Sequence, residues 1–158
     1  MKIAALQTVS TPDVDRNLDA AARLIGQAAG EGAQLVSLPE YFCLMGRRDT
    51  DKLGHAEAPG AGPIQSFLSG QAKQHGLWLI GGTLPLRSAT PERARNACCV
   101  FAPDGTLAAR YDKIHLFGFT MGKERYEEER TIEPGQDVVT VDTPFARLGL
   151  SICYDLRF

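Results

Sequence analysis

The chain has 158 residues, of which 44% are hydrophobic and 23% are charged, and its formal net charge is −2. These values are typical of one globular domain and provide no broad basic face for nucleic acid or an acidic membrane surface. No apolar run is long enough to span a bilayer, and residues 1–7 are too short and polar for a signal-peptide core, so we expect a cytoplasmic protein without membrane or nucleic-acid partners.

The first part of the chain alternates strand-like and helix-like segments. Residues 2–7 form an apolar run that predicts a short buried strand. Asp13 or Asp15 can then cap a helix that ends near residues 30–32 and carries one apolar face. Residues 34–38 predict the next strand.

A glutamate stands at the carboxyl end of this second strand. Pro39 ends the strand, and Glu40 follows it. Residues 41–59 have no regular period, and we interpret them as a loop with a short helix that forms a wall of a substrate pocket. Pro63 then begins a second long helix, which leads into a buried strand over residues 77–80.

The remainder of the chain is richer in hairpins. Residues 96–101 and 106–111 predict a β-hairpin, and residues 138–141 and 147–152 predict the last two strands. The order of elements, β-α units followed by hairpins, favours a layered α/β architecture in which helices pack against a sheet.

The four cysteines do not indicate a scaffold held by disulfides. Cys98 and Cys99 are adjacent in a strand-like run, where neighbouring side chains point to opposite faces. We therefore interpret both as small apolar residues in the reduced state. Because the chain has no Cys-x-x-Cys or His-x-x-x-His pattern, we expect no structural zinc site.

The final strand delivers Cys153 to the point where apolar sequence becomes polar and turn-like, which is where an α/β enzyme tends to place a nucleophile. Taken alone, such a cysteine is more often a buried core residue. Glu40 and Lys113 taken singly are more often surface residues. The charged run 123–130 is more often a solvent-exposed face, and His115 is more often a core or supporting histidine than a base.

Three segments taken together change this interpretation. Leu38-Pro39-Glu40, the segment Tyr111 to Phe117, and the segment Gly149 to Phe158 resemble, in order and spacing, the signature segments of the nitrilase superfamily of carbon–nitrogen hydrolases. The resemblance covers essentially the whole chain. It extends to three further features: residues 4–7, the Gly81-Gly82 pair and the Pro134-Gly135 turn.

The resemblance implies a Glu–Lys–Cys catalytic set, which falls on Glu40, Lys113 and Cys153. It also implies a second glutamate before the Pro-Gly turn. Counting back from that turn places it best on Glu128, and its neighbours on either side leave the register open.

Each role in this set has a chemical reason. Glu40 would take the proton of Cys153, and the resulting thiolate would attack an amide carbonyl. Lys113 and the backbone N–H of Tyr154 would hold the developing oxyanion, and Glu128 would hold Lys113 or the substrate in position. No metal or organic cofactor has a role in this scheme.

Within the superfamily, residues 10–13, 76–79 and 153–158 look most similar to the amidase branch. That branch includes ω-amidases acting on α-ketoglutaramate-like acids and the amidase that hydrolyses deaminated glutathione. The resemblance therefore implies a small carboxylate-bearing amide as substrate, and Tyr41 and Phe42 are candidates to line its pocket. An N-carbamoyl amidohydrolase, a nitrilase or an acyltransferase would use the same thioester chemistry and remains an alternative.

The chain stops at Phe158, where a helix is expected to follow the cysteine turn. Members of the superfamily are layered α-β-β-α sandwiches that associate into dimers or larger assemblies. We therefore expect residues 1–158 to be an incomplete carbon–nitrogen hydrolase domain, the N-terminal part of such a sandwich, in a protein that forms homo-oligomers. A hypothesis from a different class is an inactive fragment that acts only through association.

Overall fold

A six-stranded sheet forms the centre of the structure, a computed structural model that describes residues 1–158. Its first three strands run parallel, and they are β1 (Ile3–Ala5), β2 (Leu35–Ser37) and β3 (Trp78–Ile80). The other three are β4 (Leu84–Arg87), β5 (Ala94–Phe101) and β6 (Leu107–Asp112). Strand β5 pairs antiparallel with β3 and β4 along one edge and with β6 along the other.

Two long helices cover one face of this sheet. Helix α1 (Val14–Gly30) begins as predicted, because the Asp13 side chain accepts a hydrogen bond from the backbone N–H of Arg16 at 3.1 Å. Helix α3 (Pro63–His75) ends at Gly76, which adopts the left-handed conformation. Between them, α2 (Asp51–Gly54) is the short helix expected in the long loop. None of the helices is both long and apolar enough to cross a membrane.

The main hydrophobic core lies between the two long helices and the sheet. It contains 19 buried residues, and its helical members are Ala21, Ile25, Ala28, Ile64, Leu68 and Ala72. The apolar faces predicted from helical spacing are thus the faces that pack on the sheet.

A hairpin of β9 (Thr140–Asp142) and β10 (Arg147–Gly149) covers part of the opposite face. There it forms a second cluster of five buried residues: Cys98, Val100, Tyr111, Val141 and Ile152. Cys99 lies in the main core, so the two adjacent cysteines do point to opposite faces. Both are free thiols, and burial raises the pKa of each to about 12.

Three elements differ from the sequence-based expectation. Strand β1 is an edge strand instead of a buried one, and Ile3 is 53% exposed. Strand β4 was not predicted, because Pro85 interrupts the usual strand signal; a proline is tolerated here at the edge of the sheet. A further hairpin, β7 (Gly118–Met121) and β8 (Glu124–Glu127), occupies the charged segment.

Candidate active site

Four polar side chains from separate loops meet beyond the strand ends. Glu40 follows β2, Lys113 directly follows β6, Cys153 begins a 3₁₀ turn (Cys153–Arg157) after β10, and Glu128 begins another 3₁₀ turn after β8. The structure brings together all four side chains that the sequence singled out. Glu40 and Lys113 follow strands of the central sheet, whereas Cys153 follows the β9–β10 hairpin and Glu128 follows the β7–β8 hairpin.

Lys113 lies between the two carboxylates. Its Nζ is 3.0 Å from Oε1 of Glu40 and 2.9 Å from Oε2 of Glu128, and the side chain is 1% exposed. Desolvation favours the neutral amine, but the hydrogen bonds and the negative charges of Glu128 and Glu40 outweigh it and raise the pKa of Lys113. The site therefore holds a buried, protonated ammonium.

Only one of three adjacent glutamates reaches Lys113. Glu128 is 4% exposed and also accepts hydrogen bonds from the hydroxyl of Tyr41 at 3.3 Å and the backbone N–H of Phe117 at 2.8 Å. Glu127 instead pairs with two arginines, and Glu129 is exposed. Glu128 is therefore the one of the three whose carboxylate contacts Lys113.

Cys153 is exposed at the tip of its turn and faces Glu40. Partial desolvation and then the negative charge of Glu40 raise the pKa of its thiol, while Lys113 opposes this effect. Its φ is +47°, and the other non-glycine residue with a positive φ is Tyr41, at +55°. Strained backbone of this kind persists only where the surroundings hold it, and both instances flank the same site.

The backbone N–H of Tyr154 donates to no backbone or side-chain acceptor in the surrounding loops. It directly follows Cys153 at the start of the 3₁₀ turn. An N–H group of this kind is free to stabilise negative charge that develops next to the sulfur.

Asn96 belongs to the site although no sequence motif pointed to it. Its Nδ2 donates to Oε1 of Glu40 at 2.8 Å, and its backbone oxygen accepts from the N–H of Lys113 at 3.0 Å. Its Oδ1 is buried without a partner. The available signal was a lone amide side chain within the largely apolar strand β5.

Two glycines allow the loops of the site to approach each other. A Cβ on Gly82, whose φ is +55°, would lie 2.1 Å from the backbone oxygen of Pro39, directly before Glu40. A Cβ on Gly135 would lie 2.2 Å from the backbone oxygen of Asp112, directly before Lys113. Both distances are far below van der Waals contact, so these positions require glycine.

A cleft of about 410 Å³ adjoins the site, and Tyr41 lines it. Phe42 does not line it. The ring of Phe42 is 1% exposed and packs in the main core, because the positive φ of Tyr41 turns the chain inward. The other residues around the cleft are Leu44, Met45, Gly46, Arg47, Arg48, Asp49, Lys52 and Tyr126.

The reactivity of the Cys153 thiol provides a direct test of its neighbours. Because Glu40 raises the thiol pKa, we expect Glu40→Gln to lower that pKa. Below the pKa, the rate of iodoacetamide alkylation should then rise, by about tenfold if the pKa falls by one pH unit. The other cysteines are buried with pKa values raised to about 12, so alkylation of the folded protein reports on Cys153. The rate is measured against pH by mass spectrometry.

The exposed Glu129 provides a matched control, because Glu129→Gln removes the same charge without contact to the site. Its alkylation profile should equal that of the wild type. An unchanged profile for Glu40→Gln would contradict the arrangement of these two residues.

Comparisons with known proteins agree with this geometry. Residues 2–158 match the carbon–nitrogen hydrolase family. The chain is 39% identical over 158 residues to omega-amidase NIT2-A of Xenopus laevis, an alignment that covers 99% of this chain and 56% of the relative. It spans a little over half the length of the curated relatives it matches.

Two solved structures show the same fold. The NitFhit protein of C. elegans superposes with a TM-score of 0.88 at 33% identity, covering 99% of this chain and 38% of that one. A mutant of the amidase from Nesterenkonia sp. AN1, carrying an acrylamide adduct at its active-site cysteine, superposes with a TM-score of 0.84 at 28% identity, covering 100% of this chain and 59% of that one. The fold is therefore the mixed α/β fold of the nitrilase superfamily, and the chain covers part of the length of each solved protein.

Proposed function

The chain belongs to the carbon–nitrogen hydrolase family, and from this premise we propose that the protein hydrolyses the C–N bond of a small carboxylate-bearing amide with Cys153 as nucleophile. One observation carries the proposal: the ammonium of Lys113 is held 3.0 Å from Glu40, and both groups act on the charge of the Cys153 thiol. A nucleophile, a base and a cation for the oxyanion are thus side by side.

The reaction begins with transfer of the Cys153 proton to Glu40. The thiolate attacks the amide carbon, and the oxyanion is held by Lys113 and the backbone N–H of Tyr154. When the tetrahedral intermediate collapses, Glu40 returns the proton to the leaving nitrogen, so that ammonia departs and a thioester remains. Water, deprotonated by the same carboxylate, then hydrolyses the thioester to the free acid and the thiol.

Glu128 acts through Lys113 in this scheme. It accepts three hydrogen bonds, from Lys113, Tyr41 and Phe117, and is therefore held rigidly. As Lys113 turns from Glu40 toward the oxyanion, Glu128 continues to balance its charge. Such a fixed counter-charge lowers the cost of reorganisation in the transition state.

The cleft beside Tyr41 supports an anionic substrate. Arg48 pairs with Asp51 at 3.1 Å and Lys52 with Asp49 at 3.2 Å, whereas Arg47 forms no ion pair. An uncommitted guanidinium on the wall of a cleft is suited to a carboxylate. The relative from Xenopus laevis is described as an omega-amidase, which agrees with this substrate class.

Hydrolysis of three compounds by the whole protein tests the proposal, measured as ammonia release from α-ketoglutaramate and carbamoyl-β-alanine and as cysteinylglycine release from deaminated glutathione. We expect turnover of an amide whose far end carries a carboxylate. Arg47→Gln should raise KM for that substrate by about tenfold and leave KM for a short neutral amide unchanged. Arg23→Gln on α1 is a matched control that should alter neither value. Hydrolysis of none of these compounds would contradict the substrate class.

We further propose that residues 1–158 are the N-terminal part of a longer hydrolase domain, and that the whole protein is a cytoplasmic homo-oligomer. The coverage of the relatives supports the first statement, since the chain matches 56% of their length. Light scattering on the whole protein measures the oligomeric state, and a monomer would contradict it.

A further inference from the structure

A single buried carboxylate receives four hydrogen bonds next to the candidate nucleophile. Oδ2 of Asp155 accepts from the hydroxyl of Tyr111 at 2.6 Å and from the backbone N–H of Ile152 at 2.8 Å. Oδ1 accepts from the backbone N–H and from Nδ1 of His115, both at 2.8 Å. The residue is 9% exposed.

These four donors come from two separate segments of the chain, the end of β6 with the residues after it and the turn that carries Cys153. Tyr111 and His115 stand two residues before and two residues after Lys113, while Ile152 directly precedes Cys153. Asp155 therefore connects the segment that carries the ammonium to the segment that carries the thiol. Every side-chain hydrogen bond between these two segments has the Asp155 carboxylate as its acceptor.

The hydrogen bonds also keep the carboxylate charged. Burial favours the neutral acid, but donation from Tyr111, His115 and Ile152 outweighs burial and holds the pKa of Asp155 below its usual range. Hydrogen bonds to a charged carboxylate are stronger than those to a neutral acid, so the ionised form of Asp155 holds the two segments together most firmly. We call this set of hydrogen bonds the Asp155 junction. The junction is therefore intact at neutral pH.

The backbone of the cysteine turn depends on this junction. Cys153 has a φ of +47°, and the Asp155 side chain closes back on the N–H of Ile152, the residue before it. A ring contact lies alongside, since His115 stacks on Phe158 with centroids 3.9 Å apart. A strained turn persists only if such contacts hold it from both sides.

We propose that Asp155 is a positioning residue that holds the Cys153 thiol against Glu40 and Lys113 by fastening the two segments to one another. The proposal rests on the proposed function for its catalytic meaning. Its structural content, the coupling of Asp155 to the surroundings of the thiol, is measurable without turnover.

A double-mutant cycle on Cys153 alkylation tests this coupling. In the wild-type background, Glu40→Gln should speed alkylation by about tenfold at a pH below the thiol pKa, because a neighbouring negative charge is removed. In an Asp155→Asn background the thiol is no longer held against Glu40, and the same substitution should change the rate by less than about twofold. A purely structural role would reduce stability without changing this sensitivity in the folded protein.

Asp112→Asn is the matched control. It makes the same chemical change in the residue next to Lys113, but the Asp112 carboxylate pairs with Arg110 and Arg95 instead of the cysteine turn. In this background Glu40→Gln should keep its full effect. A full effect of Glu40→Gln in the Asp155→Asn background, with Cys153 as the sole modified cysteine, would overturn the proposal.

Mass mapping also shows whether the variant is folded, because Cys43, Cys98 and Cys99 are buried and become reactive only on unfolding. If Asp155→Asn unfolds the protein and exposes these cysteines, the cycle is repeated in a Tyr111→Phe background, since this change removes only the hydroxyl that donates to Asp155. A reduced effect of Glu40→Gln in that background supports the proposal, and an undiminished one overturns it. An absence of amidase activity would contradict the proposed function alone, because this cycle needs no substrate.

Discussion

Replacing Cys153 by alanine is expected to abolish ammonia release by the whole protein, with a loss of about 10⁴-fold or more, while leaving the free energy of unfolding nearly unchanged. In the proposed mechanism the Cys153 sulfur forms the covalent intermediate, and the other three cysteines are buried. The Cys153 side chain is exposed at the tip of a turn, so its removal leaves no cavity. Activity is measured as ammonia release and stability by urea unfolding.

A buried cysteine supplies the reciprocal control. Cys98→Ala removes a side chain that is 5% exposed in the second cluster, so it should cost about 1 kcal/mol of stability and leave turnover intact. Glu40→Gln tests the role of the base independently of the nucleophile. This variant should lose turnover while the Cys153 thiol stays available for alkylation. A purified, active Cys153→Ala protein would refute the mechanism.

Replacing Lys113 by methionine is expected to reduce both stability and activity. The ammonium is the cation between two carboxylates, and removing one partner of a buried ion pair costs about 3–5 kcal/mol because the remaining charge is uncompensated. In the proposed mechanism the same substitution also removes an oxyanion donor, which should lower kcat by about 10²–10³-fold. Urea unfolding and steady-state kinetics measure the two losses separately.

A second substitution distinguishes these two effects. Adding Glu128→Gln to Lys113→Met neutralises the stranded carboxylate and should restore much of the stability, but it cannot restore the oxyanion donor. Activity should therefore stay low in the more stable double variant. Lys123→Met, in the exposed turn between β7 and β8, is the control and should change neither quantity. Wild-type kcat in Lys113→Met would exclude this lysine from the reaction.

Signals from neighbouring residues were sufficient to predict where the long helices begin. The aspartate cap that begins α1 and the proline that begins α3 each act through neighbouring backbone groups, so they were readable in the sequence. Strand β4 was not, because Pro85 interrupts its pattern and its stability comes from pairing with β5, about ten residues further along the chain. The exposure of β1 also depends on its place at the edge of the sheet.

The sequence by itself was sufficient to predict the family and the α/β class, which the comparisons confirm, and it singled out Glu40, Lys113 and Cys153 as candidate site residues, because these lie in short motifs with defined spacing. Only the tertiary structure decided which of three glutamates meets Lys113, and that Asn96 belongs to the site. The physical reason is that these contacts join loops far apart in the chain. A hydrogen bond forms only where the packed sheet and its hairpins bring donor and acceptor to within about 3 Å, a distance that linear spacing does not encode.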